Sequence, residues 1–425
     1  MMELADMRAL ARQLYDHAVA AADPARAVHQ HFSKHPPAGL PAGGHSYVIA
    51  IGKAAPAMLG EALRHIPGPV TALGVTHHEN AQTIPGARIL TAGHPEPDEA
   101  GLRAGREIIA LLQKAGPQDQ VYALISGGGS ALVPAPKPPL TLADKQAVNR
   151  LLLENGLGIT EMNLVRQQLS ELKGGGFSRY ASPAPVTALI LSDVIGNELS
   201  AIASGPTTEP LGNRAEALAL LRGRGLLESL PITARNLLEA PEPPTARVAA
   251  ENHLIGSNEK SLEAMREALS GDWSARIVTD RLTGDVGDAA EQILHAAEMA
   301  EYSGPTALIF GGETTVHLRG TGRGGRNQEL ALRVAMQGDR LPQGWIFLSG
   351  GTDGRDGPTD AAGGVVDGGT IARIRASGND VEALLANNDS HAALKAAGDL
   401  LITGATGTNV ADVQLMLIPG PSLSP

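Results

Sequence analysis

The stretch Val121-Tyr-Ala-Leu-Ile-Ser-Gly-Gly-Gly-Ser130 is the strongest indication of the fold in this chain. Its apolar run is typical of a strand buried on both faces. The glycines that follow allow the backbone to turn sharply and to point N–H groups outward. In open α/β sheets, ligands bind at this carboxyl end of the strands, where such N–H groups and a following helix favour anions. The stretch therefore predicts an anion site at the end of a strand.

Two loops in the second half of the chain repeat the pattern. They are Ala307-Leu-Ile-Phe-Gly-Gly-Glu-Thr-Thr315 and Trp345-Ile-Phe-Leu-Ser-Gly-Gly-Thr-Asp-Gly-Arg-Asp356. In each, glycines come directly after an apolar run, so each predicts a further strand end with exposed N–H groups.

Predicted strands alternate with predicted helices in both halves. The main strands are predicted at residues 47–51, 121–125, 186–191, 306–310 and 344–348. This order is typical of βαβ units and predicts a mostly parallel sheet in each half. The prolines of Ala240-Pro-Glu-Pro-Pro-Thr245 mark a linker, so we predict two α/β domains, at residues 1–240 and 246–425. Thr141-Leu-Ala-Asp144 further predicts a capping box that opens a helix.

Composition excludes several classes of protein. The 425 residues are too many for one core, and the chain has no cysteine, which excludes disulfides, thiolate catalysis and Cys-ligated zinc. The net charge of −11 argues against a nucleic-acid partner, since that binding needs lysine and arginine. No stretch approaches the ~18 apolar residues of a membrane helix, and the charged N-terminus does not resemble a signal peptide. We therefore predict a cytoplasmic protein with no membrane partner.

Two common nucleotide motifs do not fit the glycines. A P-loop has a glycine five residues before the glycine of its Gly-Lys pair, but Tyr47 holds that position before Gly52-Lys53. A dinucleotide fingerprint beginning at Gly127 requires a small residue where Leu132 stands, and no acidic residue follows at a distance of ~20 residues. A nucleotide would have to be bound by a different loop geometry.

Three cations accompany the glycines. Lys53 opens a predicted helix, where the helix dipole disfavours a cation unless an anion is bound. The guanidinium of Arg326 suits a carboxylate or a phosphate through two hydrogen bonds. Lys173 precedes three glycines and could reach phosphate, although lysine is also ordinary in a last helical turn. A solvated surface position is the alternative for each cation.

Backbone groups and carboxylates complete the candidate site. The residues assigned to bind phosphate or nucleotide through their backbone are Gly127, Gly128, Gly129, Ser130 and Gly312. Asp193 suits Mg²⁺ or activation of a hydroxyl, while Asp353 and Asp356 offer the oxygen ligands that Mg²⁺ prefers. Asp360 and Glu313 are further candidates for that task. Because Asp beside Gly also forms ordinary turns, which carboxylate binds the metal stays open.

These motifs together resemble the class II glycerate kinases, the glycerate 2-kinases whose C-terminal part is called MOFRL. The motifs that carry the resemblance are Ile-Gly-Lys53-Ala-Ala, Ile-Ser-Gly-Gly-Gly-Ser130-Ala, Leu-Lys173-Gly-Gly, Leu-Ser-Asp193-Val, Ser204-Gly-Pro-Thr, Gly-Gly-Glu313-Thr-Thr, Gly324-Gly-Arg326-Asn-Gln-Glu329 and Gly-Thr-Asp353-Gly-Arg-Asp-Gly-Pro-Thr-Asp360-Ala-Ala-Gly. They occur in the same order over most of the chain. Members of this family are often labelled hydroxypyruvate reductases.

The resemblance implies ATP and Mg²⁺ as cofactors and D-glycerate as substrate, with phosphorylation at the 2-hydroxyl. It also implies a Rossmann-like N-terminal domain, a MOFRL-type C-terminal domain and an active site in the cleft between them. Lys53, Arg326 and Asp193 would be catalytic, with Lys53 and Arg326 also binding substrate. Since phosphoryl transfer to an alcohol requires no histidine, we interpret His77, His78 and His94 as structural or substrate-lining. Of the three, His94 is the first candidate to contact substrate.

Two rival functions stay open at this point. One is an NAD(P)H-dependent hydroxypyruvate reductase, against which the missing dinucleotide fingerprint argues. The other is a non-catalytic protein that binds small anions, which would not explain why Lys53, Arg326 and the aspartates occur together. The sequence does not fix the oligomeric state, for which a homodimer is the working hypothesis.

Overall fold

The computed structural model describes residues 3–242, 250–300 and 302–420. Contacts divide the chain into two compact units. The N-terminal unit is Pro24–Ile255, and the C-terminal unit combines Met1–Asp23 with Gly256–Pro425. The predicted domains, 1–240 and 246–425, differ from these units because the first helix belongs with the C-terminal half. Of the predicted linker Ala240–Thr245, residues 243–245 lie outside the described residues.

The elements are numbered in chain order. The strands are β1 (Ser46–Ile51), β2 (Val70–His77), β3 (Ala87–Ala92), β4 (Gln120–Ile125), β5 (Val186–Leu191), β6 (Glu251–Gly256), β7 (Ser274–Asp285), β8 (Thr306–Thr315), β9 (Ile346–Gly351), β10 (Gly363–Asp367), β11 (Leu400–Leu401) and β12 (Asp412–Ile418). The helices are α1 (Leu4–Ala21), α2 (Pro24–Lys34), α3 (Ala55–His65), α4 (Glu99–Leu112), α5 (Gly129–Leu132), α6 (Leu142–Glu154), α7 (Ile159–Gln168), α8 (Gly176–Ala181), α9 (Arg214–Gly223), α10 (Ile232–Glu239), α11 (Asn258–Ala268), α12 (Val286–Glu298), α13 (Arg326–Met336), α14 (Thr370–Ala376), α15 (Val381–Ala386) and α16 (Ser390–Ala397). No helix among the described residues is long and apolar enough to cross a lipid bilayer.

The sheet of the N-terminal unit has the strand order β3-β2-β1-β4-β5-β6. Strands β1 to β5 pair in parallel, which confirms the predicted parallel sheet in this half. The order is that of Rossmann-type sheets, which bind ligands where the strand order reverses, here between β1 and β4. Ile51 pairs with Ile125, so β1 and β4 end at the same level of the sheet. The loops that follow them are therefore neighbours.

Local sequence explains how the helices beside this sheet begin. At the start of α6, the Thr141 side chain accepts a hydrogen bond from the Asp144 backbone, and the Asp144 side chain accepts one from the Thr141 backbone. The predicted capping box is thus confirmed. At the start of α4, Asp98 caps the helix by accepting from the Gly101 N–H at 2.8 Å. Such caps satisfy backbone groups that a helix end leaves unpaired.

The sheet of the C-terminal unit has the order β11-β10-β9-β12-β8-β7 and is mixed. Only β7 and β8 pair in parallel, whereas β12 runs antiparallel to both β8 and β9, and β10 runs antiparallel to β9. The prediction of a mostly parallel sheet is therefore wrong for this half. Helices α12 and α13 carry the chain back between β7, β8 and β9, which run in one direction as predicted. Residues 352–362 join β9 to β10 without a helix, and that pair is antiparallel.

Helix α1 packs on the C-terminal sheet, which explains its place in that unit. Met7, Leu14 and Tyr15 are fully buried in a core with strands β9 and β12. The Tyr15 hydroxyl donates to the carbonyl of Gly351 at 2.6 Å. The helical spacing of Leu4, Met7, Leu10 and Leu14 predicts this helix, but its partner lies more than 300 residues away along the chain.

An ion-pair network fixes the polar side of α1. Arg8 pairs with Asp367 and Asp399, whose side chains are 1% and 2% exposed. Arg373 binds the same two carboxylates from α14, at 2.9 and 2.7 Å. Burial alone would raise the pKa of Asp367, but the hydrogen bonds and charges of Arg373 and Arg8 lower it below its usual value. The network therefore joins the first helix to β10 and to the segment before β11.

We expect Arg8→Ala to destabilise the C-terminal unit by about 2 kcal/mol, because two buried carboxylates each lose a charged donor. Both tryptophans, Trp273 and Trp345, lie in this unit, so tryptophan fluorescence during urea unfolding reports on it. Arg103→Ala, at an exposed position of α4, is the matched control and should change little. Equal midpoints for both variants would contradict the proposed role of the network.

Candidate functional site

The loops after β1 and β4 are joined at the point where the strand order reverses. The Lys53 N–H donates to the Gly127 carbonyl at 2.9 Å, and the Ala54 N–H donates to the Ser126 hydroxyl at 3.1 Å. The Lys53 carbonyl accepts from the side chain of Asn80 at 2.8 Å. The backbone at Lys53 is thus fixed, while its side chain is exposed.

Glycine is required at two positions of the second loop. A Cβ atom at Gly127 would lie 1.9 Å from Oδ2 of Asp193. Gly128 has a φ of +83°, and a Cβ atom there would lie 3.1 Å from the His94 ring and 3.2 Å from Cγ of Lys53. The glycines therefore allow three predicted site residues to lie against one loop. We call Lys53, His94, Gly127, Gly128 and Asp193 the switch-point cluster.

Burial changes the proton affinities in the switch-point cluster. Burial raises the pKa of Asp193, while the nearby Lys53 charge partly opposes this. Burial, followed by the Lys53 charge, lowers the pKa of His94 and of the neighbouring His77. At neutral pH the imidazoles of His94 and His77 are therefore uncharged. A carboxylate with a raised pKa is suited to accept a proton from a bound alcohol.

Ser130 and Lys173 meet beside the cluster. The buried Lys173 ammonium donates to the Ser130 hydroxyl at 2.6 Å and to the Ser130 carbonyl at 2.8 Å. The Ser130 hydroxyl is also 3.1 Å from that of Ser204, which donates to Asn163 at 2.8 Å. Burial, with the charges of Lys145 and Arg166, holds the pKa of Lys173 well below its usual value. The structure thus brings together two residues predicted to bind phosphate.

Arg326 begins α13 in the C-terminal unit and is bound by acidic side chains. Its Nε and Nη2 donate to the two oxygens of Asp412 at 2.6 and 2.9 Å. Its Nη1 lies 3.1 Å from Oε1 of Glu313. Burial alone would lower the pKa of Arg326, but Asp412 and Glu313 raise it. The planar fork that was predicted to bind substrate is therefore held by a buried carboxylate.

The predicted metal ligands have unequal surroundings. Asp356 is buried and accepts hydrogen bonds from the backbone of Asn327 and Gln328, at 3.1 and 2.8 Å, and from the Gln328 side chain. The carboxylate thus satisfies backbone N–H groups in the first turn of α13, so the structure favours a helix-capping role for Asp356. Asp353 is half-buried, and its Oδ1 accepts one N–H, from Arg355, at 2.9 Å. Asp360 is exposed and bonds to His391.

The structure explains why residue 312 is a glycine. Its φ is +149°, and a Cβ atom there would lie 2.3 Å from the Leu282 carbonyl oxygen of the adjacent strand β7. The close approach of two strands therefore accounts for the glycine without a bound nucleotide.

Comparison with known proteins identifies the family of this chain. Residues 10–239 match the family described as "Domain of unknown function (DUF4147)", and residues 306–412 match the MOFRL family. A D-glycerate 2-kinase from Thermotoga maritima is 40% identical over 380 residues, which cover 87% of this chain and 90% of the relative. The chain belongs to the class II glycerate kinase family.

Two further matches extend over nearly the whole chain. A crystal structure of a glycerate kinase from Thermotoga maritima superposes with a TM-score of 0.88 at 37% identity, covering 97% of this chain and 99% of that one. A protein from Agrobacterium vitis with the provisional name hydroxypyruvate reductase is 40% identical over 97% of this chain and 94% of its own. The two names describe different chemistries, so the residues must decide between them.

Two residues that contact candidate site residues had no role assigned from the sequence: Asp412, which binds Arg326, and Ser204, which lies beside Ser130. Asp412 is an isolated aspartate at the start of β12, and no local motif marks it. Ser204 belongs to the motif Ser204-Gly-Pro-Thr. Its φ angle is +62°, and the φ angle of the preceding residue, Ala203, is +50°. Two successive residues in the left-handed region are costly for side chains with a Cβ, and such backbone is concentrated at functional sites.

We expect Gly127→Ala to destabilise the N-terminal unit by about 1–3 kcal/mol, because the new methyl group would overlap Asp193. Asp193→Ala removes the overlapping carboxylate, so the double variant should be more stable than the sum of the two single effects. Differential scanning calorimetry of all four proteins measures this coupling. Gly39→Ala is the control, since nothing lies within 4 Å of its Cβ position. Strict additivity would show that Asp193 does not occupy this space.

Proposed function

We propose that this protein transfers the γ-phosphoryl group of ATP to the 2-hydroxyl of D-glycerate, giving 2-phosphoglycerate and ADP. The observation that carries the proposal is the switch-point cluster, in which an exposed ammonium and a carboxylate of raised pKa lie against one glycine loop. Membership of the glycerate kinase family supports it, as does the similarity to the D-glycerate 2-kinase from Thermotoga maritima.

The reaction needs charge neutralisation and positioning more than covalent catalysis. A bond forms between O2 of glycerate and the γ-phosphorus, and the bond from that phosphorus to its bridging oxygen breaks. In our proposal the proton of the 2-hydroxyl passes to Asp193. Lys53 neutralises the transferring phosphoryl group or the glycerate carboxylate, while the backbone of Gly127 to Ser130 contacts phosphate oxygens. His94, neutral at pH 7, can exchange hydrogen bonds with the substrate.

Mg²⁺ would neutralise charge on the phosphates of ATP. In proteins it is usually held by one or two carboxylates together with substrate phosphates. Asp353 fits this role because its carboxylate is half-buried and accepts one N–H through Oδ1. The four N–H bonds to Asp356 make that residue a poorer ligand. Arg326 is bound by Asp412 and Glu313 in the structure, so its role in binding substrate stays a prediction.

The reductase alternative is disfavoured by where the glycines lie. In dinucleotide-binding sheets the glycine fingerprint follows β1 and an acidic residue near the end of β2 binds the ribose. Here β1 is followed by Gly52-Lys53, the glycine run follows β4, and β2 ends at His77. The sheet has the order of a dinucleotide-binding fold, but its glycine run follows β4 and not β1.

The proposed activity is tested by ADP release from MgATP and D-glycerate, with the product detected through enolase, which accepts 2- but not 3-phosphoglycerate. Parallel reactions contain hydroxypyruvate with NADH or NADPH. An enolase signal supports the proposal. ADP release without that signal would move the acceptor to another hydroxyl, and nicotinamide oxidation alone would replace the kinase by a reductase. ADP binding without turnover would favour the non-catalytic alternative.

We expect Lys53→Met and Asp193→Asn each to lower kcat by about 10²- to 10³-fold, as for other groups that stabilise a transition state. Lys114→Met, at an exposed position just after α4, is the control and should retain full activity.

The pH profile identifies the role of Asp193. A base must be deprotonated, so kcat/KM of the wild type should fall as the pH decreases through the pKa of Asp193, which burial raises above the usual value. Asp193→Asn should lack this acid limb. If the limb persists in the variant, Asp193 is not the base.

A further inference from the structure

A second group of cations lines a cavity beside the glycine loop. The cavity has a volume of about 160 Å³ and lies wholly within the N-terminal unit. Its polar wall is formed by His94, Ser130, Lys145, Asn149, Arg166 and Lys173. We call it the basic pocket. It shares Gly128, His94 and Ser130 with the loop already described, but Lys145, Asn149 and Arg166 have so far had no role.

The basic pocket gathers three cations without an acid. No aspartate or glutamate is among the described residues that line it. The partners of the cations are uncharged: Arg166 donates to the side-chain oxygen of Asn149, and Lys173 donates to Ser130. In a protein whose net charge is −11, three cations with no facing carboxylate are an unusual local excess.

Lys145 is the decisive residue. It is 8% exposed, and its Nζ has no hydrogen-bond partner within the described part of the chain. A buried polar atom without a partner costs about 1–3 kcal/mol, and more when it is charged. Lysine is rarely buried unless it is paired. An aliphatic side chain would fill the same space without that cost, so the ammonium indicates a missing partner.

Local structure holds these groups in place. Lys145 and Asn149 are four residues apart on α6 and therefore lie on the same face of that helix. The capping box fixes the start of α6, and Gln146 donates to the Pro97 carbonyl at 2.7 Å, which ties the helix to the segment that contains His94. The pocket is thus preformed on two helices, α6 and α7, and on the glycine loop.

We propose that the basic pocket binds a phosphate group, with Lys145, Arg166 and Lys173 as its cationic partners. A dianion with tetrahedrally arranged oxygens matches three cations that approach from different elements, whereas a carboxylate could be satisfied by one arginine. The proposal rests on the proposed kinase activity only for the source of that phosphate, which is either the nucleotide or the phosphorylated product. Phosphate binding itself can be measured without turnover.

Proton affinities in the pocket support this assignment. Burial, followed by the charges of Arg166 and Lys137, lowers the pKa of Lys145 to about 7. Lys173 also faces the pocket with a lowered pKa, as does His94. A bound phosphate would raise the pKa of both lysines, because it supplies the missing negative charge. Binding at pH 8 should therefore take up protons from solution.

The test is isothermal titration calorimetry of the full chain at pH 8, with inorganic phosphate, ADP, 2-phosphoglycerate and D-glycerate as separate ligands. Lys145→Met keeps the length of the side chain and removes the charge, and Lys114→Met is the matched control. We expect Lys145→Met to weaken binding of the phosphate ligand that uses the pocket by about 10- to 100-fold, with no effect in the control. Repeating the titration in two buffers of different ionisation enthalpy measures proton uptake, which the variant should reduce.

A second variant tests the pocket without a loss of folding. Asn149→Asp places a carboxylate beside Arg166 and Lys145, so it should raise the thermal stability and at the same time abolish phosphate binding. A purely structural pocket predicts the gain in stability with unchanged affinity for every phosphate ligand.

The outcomes separate this proposal from the proposed function. A loss of affinity confined to ADP assigns the pocket to the nucleotide, and one confined to 2-phosphoglycerate assigns it to the product. Phosphate binding that depends on Lys145 in a protein without enolase signal supports the pocket and rejects the kinase. Wild-type phosphate affinity in both variants overturns the pocket even if the kinase is active. Failure of the wild type to bind any phosphate, or loss of D-glycerate binding alone, also overturns it.

Discussion

The candidate site of the N-terminal unit depends on the parallel pairing of β1 with β4. Because Ile51 is paired with Ile125, the two strands end at one level, and the Lys53 N–H reaches the Gly127 carbonyl. That hydrogen bond sets the distance between the loops. With the loops so close, Asp193 has room for its carboxylate only because residue 127 lacks a side chain. This contact places Lys53 beside Gly127, while His94 comes from the end of β3 and Asp193 from the end of β5.

The local pattern of apolar runs and helices was sufficient to predict the strand directions of the N-terminal sheet, but not those of the C-terminal sheet. An apolar run indicates a buried strand, and a helix between two such runs predicts that the strands point the same way. This was correct for β1 and β2, for β3, β4 and β5, and for β7, β8 and β9. Neither signal shows that β12, the last strand, is inserted between β8 and β9. Similarly, the periodicity of α1 predicts a helix but not that Arg8 pairs with Asp367 and Asp399.

Some candidate residues could be identified from the local sequence, whereas others are recognisable only from the packing of the folded chain. Lys53 and the glycines were identifiable because strand, turn and helix start are adjacent in the sequence. Lys145 was not, since a single lysine on an amphipathic helix normally lies in solvent, and only the packing of α6 shows that it is buried. The position of Asp356 beside glycines predicted a metal ligand, which stays a prediction. In the structure its oxygens accept the N–H groups that begin α13, a contact that the local sequence did not indicate.

Charge distribution distinguishes groups that stabilise the fold from groups that await a ligand. In the C-terminal unit, the guanidinium of Arg326 already meets Asp412 and Glu313, and that of Arg8 meets two aspartates, so each buried charge is compensated within the protein. In the basic pocket, Lys145 has no such partner. A buried lysine without a partner reduces the stability of the free protein, and a ligand that binds only the folded state restores it. The same arrangement that makes the pocket costly for the fold therefore makes it selective for an anion.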